Sequence, residues 1–111
     1  MNIEFCEKDG AAMAVLSGEI DGKTAPEAQS KLLPFLGDHK SLVLDVSAVT
    51  FMSSAGLRLM LLLYRHATAA GGKVALVGLC EQIRDTMSAT GFLDFFKVCD
   101  SHEAAVLAIK E

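Results

Sequence analysis

Alternation between apolar and polar positions divides the chain into strand-like and helix-like segments. Residues 2–7 (Asn-Ile-Glu-Phe-Cys-Glu) alternate, as a half-buried strand does. Asp9-Gly10 is a tight-turn pair and Ala12–Leu16 resumes as a second strand, so a hairpin should open the chain. Ser17–Gly22 reads as a polar loop bracketed by glycines. Thr24-Ala25-Pro26-Glu27 has the form of a capping box, with Pro26 where its missing N–H costs nothing. Ala25, Ala28, Leu32 and Phe35 follow at helical spacing; Pro34 should kink or close that helix and Gly37 end it.

The next two segments are the strongest. Leu42–Val46 is apolar except for Asp45 and rich in aliphatic residues, the pattern of a strand buried on both faces. From Leu57 the period becomes helical: Leu57, Met60, Leu61, Tyr64 and Ala67 fall on one stripe, with Arg58 and Arg65 off it. Ser54 is expected to cap this helix and Gly71-Gly72 to stop it. Lys73–Val77 is a further strand, and Glu81–Ala89 a short helix with Ile83 and Met87 on one face, closed by Gly91. Phe95–Val98 reads as a short strand. Asp100–Glu103 should cap a last helix with Ala104, Leu107 and Ala108 inward. The order is ββαβαβαβα, which implies an α/β fold: a mixed, mostly parallel central sheet with four helices and an antiparallel first strand.

Composition narrows the function. At 111 residues, 51% hydrophobic and 22% charged, the chain suits one globular domain over 1–111 with a real core. A net charge of −4 and scattered Lys and Arg residues argue against nucleic acid as a partner. The wholly apolar runs, Leu59–Leu63 among them, are far short of a membrane span, and the N-terminus lacks the pattern of a signal peptide. Cys6, Cys80 and Cys99 are odd in number and form no CxxC pair. They read as small core hydrophobes in a reducing compartment, and the expected location is the cytoplasm.

Candidate chemistry is sparse. Ser53 and Ser54 are adjacent hydroxyls between a buried strand and a helix, at the sheet end where open α/β folds place working residues. Ala55 and Gly56 after them are small enough to let a partner's backbone approach. A nucleophile elbow would need glycine where Met52 stands, and His39, His66 and His102 have no carboxylate orienter evident in sequence, so no catalytic residue is assigned. No His or Cys pair has metal-ligand spacing, and no glycine-rich phosphate loop follows a strand, so neither metal nor cofactor is expected. Glu19 and Asp21, in a loop after the second strand, could share an edge with Ser54. Asp45 should hydrogen-bond a nearby loop.

The segment Leu-Asp-Val-Ser-x-Val-x-Phe-Met-Ser-Ser-Ala-Gly-Leu (44–57), paired with Gly-Glu-Ile-Asp (18–21), resembles the STAS domain of bacterial anti-sigma-factor antagonists. The resemblance spans nearly the whole chain, including Thr-Ala-Pro (24–26), Gly-Gly (71–72) and Thr-Gly-Phe (90–92). It implies a non-catalytic partner switch. Ser54 is the counterpart of the serine phosphorylated by a partner kinase that is also the anti-sigma factor. A PP2C-type phosphatase removes the phosphate, and the unphosphorylated form binds the kinase. Ser53 stands where the family commonly has Asp, which offers a second, less favoured hydroxyl; Ala55 stands where Ser or Thr is common. The partner-binding set so implied is Glu19, Asp21, Ser53, Ser54, Ala55, Gly56 and Leu57, on a protein that is a monomer when free. The alternative is a STAS scaffold or sensing module that is never phosphorylated.

Overall fold

The computed structural model describes residues 1–110. Strands β1 (Asn2–Lys8) and β2 (Ala11–Ile20) lead into α1 (Ala25–His39), β3 (Leu42–Met52), α2 (Ser54–Ala69) and β4 (Val74–Val77). Then come α3 (Glu81–Thr90), a 3-10 turn (Phe92–Phe95), β5 (Lys97–Cys99) and α4 (His102–Lys110). The strands lie in the order β1-β2-β3-β4-β5; β1 pairs antiparallel with β2 and all other pairs are parallel. The α/β architecture and the order ββαβαβαβα are those the sequence implies.

Alternating residues of the central strands feed two cores. Ala12, Ala14, Leu16, Leu42, Leu44, Val74 and Leu76 point to the side covered by α1, α2 and α3. Ala11, Met13, Val43, Ala75 and Val77 point to the other side, under Ala105, Val106 and Ile109 of α4. This two-sided burial is why β3 reads as an apolar run broken only by Asp45.

The boundaries differ from expectation in ways that shape the site. β2 continues through Ser17–Ile20 and β3 through Ser47–Met52, so neither stretch is the loop its polar residues suggest. β4 pairs with β3 only as far as Asp45, so the ends of β2 and β3 form a two-stranded arm beyond the sheet. Register shifts between Val15 and Ser17 and between Gly18 and Glu19 place two extra β3 residues opposite β2. These bulges destroy the alternation: Val46, Val49 and Met52 all face the larger core.

The helices hold further corrections. The capping box does not form, because the Thr24 hydroxyl turns to the Glu19 carbonyl (2.8 Å) and Glu27 pairs with Lys31 (3.1 Å). α1 runs through Pro34 and Gly37, held by buried Leu32 and Leu36, and ends at Lys40 in the left-handed region. The buried face of α2 is Gly56, Leu59, Met60, Leu63 and Ala67, rotated from the expected stripe because Gly56 must face β2. The last strand starts at Lys97, after the 3-10 turn, and not at Phe95. On α4 the inward residues are Ala105, Val106 and Ile109, while Leu107 is 64% exposed. Cys6 is exposed and Cys80 and Cys99 half-buried, so the thiols are not core residues. Among the described residues no helix is long and apolar enough to cross a membrane.

Candidate partner-binding site

The β2–β3 arm ends where α2 begins, and the conformation and hydrogen bonds of Ser53 fix that junction. Ser53 is extended (φ −82°, ψ −179°) and its Oγ accepts the Ala55 N–H at 3.2 Å. Its own N–H donates to the Ile20 carbonyl at 2.9 Å, joining the junction to the end of β2. The cap of α2 is therefore Ser53, not Ser54. Ser54 becomes the first helical residue, exposed, and its hydroxyl makes no hydrogen bond among the described residues.

Gly56 explains the tightness of the junction. A Cβ there would sit 2.6 Å from Met52 Cγ and 2.9 Å from both the Ile20 carbonyl oxygen and Ile20 Cγ2. The missing side chain makes room for β2, not for a partner, and Gly56 is buried. Ala55 and Leu57 are half-buried beside it.

Glu19 and Asp21 do come to the same end of the sheet, Glu19 opposite Phe51 and Ile20 opposite Met52. They play different parts. The Asp21 carboxylate is turned inward on its own turn, accepting the Thr24 N–H (3.1 Å) and the Lys23 N–H (2.9 Å). These two donors, Thr24 first, hold its carboxyl below the ordinary value. Asp21 thus shapes the start of α1. Glu19 is exposed on the arm, its carbonyl tied to Thr24.

Two features at this end escape a sequence reading. Phe51 is 44% exposed, because the second bulge turns it out of the core. Arg58, one turn beyond Ser54, is exposed beside Gly22 and Ala55. The only available signals were a phenylalanine next to a polar loop and an arginine off the apolar stripe.

A second polar cluster lies on the α4 side. Asp45 is buried; its Oδ1 accepts the Ser47 hydroxyl (2.6 Å) and N–H (3.0 Å), and its Oδ2 meets His102 Nε2 at 2.6 Å. Burial pushes this carboxyl up, but the Ser47 hydroxyl and N–H and the His102 ring outweigh it and hold it below the ordinary value. Asp45 therefore ties its own strand to α4, and His102 has the carboxylate neighbour the sequence did not reveal. His39 has one too, Glu7 at 3.2 Å. In the Asp45 cluster serine and histidine both bond the carboxylate, on different oxygens. The hydroxyl-to-imidazole bond that activates a serine is not part of this arrangement.

A mixed five-stranded sheet with this helix order, and a serine-bearing junction at the end of its third strand, define a STAS domain. Residues 2–105 match that family, and the chain belongs to it. The BtrV protein of Bordetella bronchiseptica, named as an anti-sigma factor antagonist, is 31% identical over 99% of this chain and 96% of its own length. An anti-sigma factor antagonist from Mycobacterium paratuberculosis superposes with a TM-score of 0.84 at 25% identity, covering 99% of this chain and 94% of that one. The Bacillus cell fate determinant SpoIIAA, solved in its phosphorylated form, shares the fold: TM-score 0.72 at 20% identity, covering 93% of this chain and 96% of that one.

Proposed function

We propose that this chain is a phosphorylation-controlled partner switch, a single STAS domain over residues 1–111 working in the cytoplasm without catalysis of its own. With Ser54 unmodified it binds a serine kinase that is also an anti-sigma factor, and so releases the sigma factor. Phosphate on Ser54 breaks that complex, and a PP2C-type phosphatase restores it. The observation that carries this reading is the division of labour between the two serines. Ser53 is occupied by the helix cap, whereas the Ser54 hydroxyl is exposed and without a hydrogen bond among the described residues. The existence of a phosphorylated form of a fold relative agrees with it. Glu19, Ser53, Ser54, Ala55 and Leu57 form the contact face, with Asp21 and Gly56 shaping it from behind.

The test is phosphopeptide mapping after incubation with ATP and the kinase co-purified from the source cell. One phosphate on Ser54, lost in Ser54→Ala, is the expected result. Phosphate mainly on Ser53, or incorporation that survives Ser54→Ala, would overturn the assignment.

A further inference from the structure

A groove of about 490 Å³ runs between the start of α1 and α2 as far as Arg65, starting beside the Ser54 junction at Gly22 and Ala55. Apart from Gln29 and two arginines its lining is apolar, with Ala25, Pro26, Leu59, Leu61 and Leu62, and it contains no carboxylate. Arg58 and Arg65 stand along it, both exposed, and neither makes an ion pair or a hydrogen bond among the described residues. In a chain of net charge −4, two unpartnered cations over an apolar groove form a local field opposite to that of the whole molecule.

The spacing defines the occupant. Seven residues of helix place Arg58 and Arg65 on one face of α2, about 10 Å apart along its axis. Leu61 and Leu62 fall between them. A helix lying along α2 has the same rise, so two of its carboxylates seven residues apart would meet both arginines. Apolar residues midway between those carboxylates would meet the leucines. A small anion would engage one arginine and leave the apolar stretch uncovered.

Ser54 lies four residues before Arg58, one turn away on the same helix. A phosphate on Ser54 would sit within reach of the Arg58 guanidinium, and Arg58 has no competing partner among the described residues. We propose that this groove docks an acidic amphipathic helix of the binding partner, and that Arg58 is shared, contacting the partner's carboxylate in the unmodified state and the phosphate after Ser54 is modified. The second half rests on the switch reading given above; the first half does not.

The probe is a synthetic helical peptide with two glutamates seven residues apart and leucines midway between them. Titrated into isotope-labelled protein, it should shift the amides of Ala25, Ala55, Arg58, Leu61 and Leu62. Arg58→Ala or Arg65→Ala in the protein should each weaken binding by up to about fivefold, and replacing both glutamates by glutamine, which removes both pairs, should weaken it more than either. A Lys/Lys peptide should bind Arg58→Glu/Arg65→Glu better than it binds the wild type. Shifts elsewhere, no shifts, or equal binding of the Glu and Lys peptides would overturn the groove.

Phosphoserine placed at position 54 by synthesis tests the shared arginine without any kinase. It should weaken the glutamate peptide several-fold in the wild type and not in Arg58→Ala. Unchanged peptide binding would remove Arg58 as the shared residue while leaving kinase modification of Ser54 standing. Conversely, a groove that behaves as described on a protein no kinase modifies would leave the docking site and remove the switch.

Discussion

The two faces of the sheet are built on different physics. Toward α1, α2 and α3 the sheet buries long aliphatic side chains in quantity: Leu16, Leu32, Leu36, Leu42, Leu44, Met60, Leu63 and Leu76 are all within 2% of complete burial. Toward α4 it meets one nine-residue helix whose inward residues are Ala105, Val106 and Ile109. That helix is fastened by polar contacts at both ends. His102 binds Asp45 and Glu103 pairs with Lys8 (3.3 Å) at its start, and Lys110 donates to the Asp9 carbonyl at its finish. Burial without directionality holds the first face, whereas the second needs specified partners. The candidate site belongs to the first face, with buried Ile20, Met52 and Gly56 beneath the Ser54 junction.

Truncating each face should expose this difference. Leu63→Ala, on the fully buried side of α2, should cost about 2–5 kcal/mol, the range for a large core residue whose cavity cannot collapse. Val106→Ala removes two buried carbons under α4 and should cost about 1–2 kcal/mol. Urea denaturation of both variants checks the order. If Val106→Ala proved the more damaging, α4 would be an equal partner in the core and the contrast would fail.

How much of this is legible in sequence follows the same divide. The larger core announces itself through periodicity, as in Leu42–Val46, Ile83 and Met87, and the fold order follows from it. Periodicity fails where one residue decides an orientation. α2 is rotated by the contact of Gly56 with Ile20, and α4 by the bond from His102 to Asp45, 57 positions earlier. Neither contact leaves a mark on local pattern. The β2–β3 arm is illegible for another reason: two bulges replace the two-residue period, so Ser17–Ile20 and Ser47–Met52 resemble loops. At the site itself, the motif brings out the serines but not which one caps the helix. That depends on the extended conformation of Ser53 and the bond it makes to Ile20.

A polar tie should break more selectively than a core. Asp45→Asn keeps the shape but weakens the bonds to Ser47 and His102, and should cost about 1–3 kcal/mol at neutral pH. It should also alter the acid limb. The folded carboxyl of Asp45 titrates below its ordinary value of 3.8, so its contribution is fully present above that value. It is lost as pH falls from there through the lower folded value. The variant should therefore lose less stability than the wild type on acidification below about pH 4, with a residual slope from Asp21, which is also depressed. Equal acid sensitivity in both proteins would mean that Asp45 contributes no such linkage.

The smallest stability effects separate the two serines. Ser53→Ala deletes the oxygen that accepts the Ala55 N–H and should cost about 1 kcal/mol. Ser54→Ala removes a hydroxyl with no partner among the described residues and should stay within about 0.5 kcal/mol of the wild type. Function should run the other way, with Ser54→Ala blocked to phosphorylation and Ser53→Ala still modified. Phosphate on Ser54 meets the positive end of α2, a local term of about 0.3–1 kcal/mol in favour of the folded state. The same charge added to a closed interface can cost several kcal/mol where it faces carboxylates. The interface term is the larger, so the modified protein should lose its partner while remaining at least as resistant to urea. Amide shifts on modification should stay near Ser54, Arg58 and the Gly18–Gly22 stretch. If they spread into β4 and α4, or if Ser54→Ala proved as destabilised as Ser53→Ala, Ser54 would be part of the scaffold and not a surface free to carry a signal.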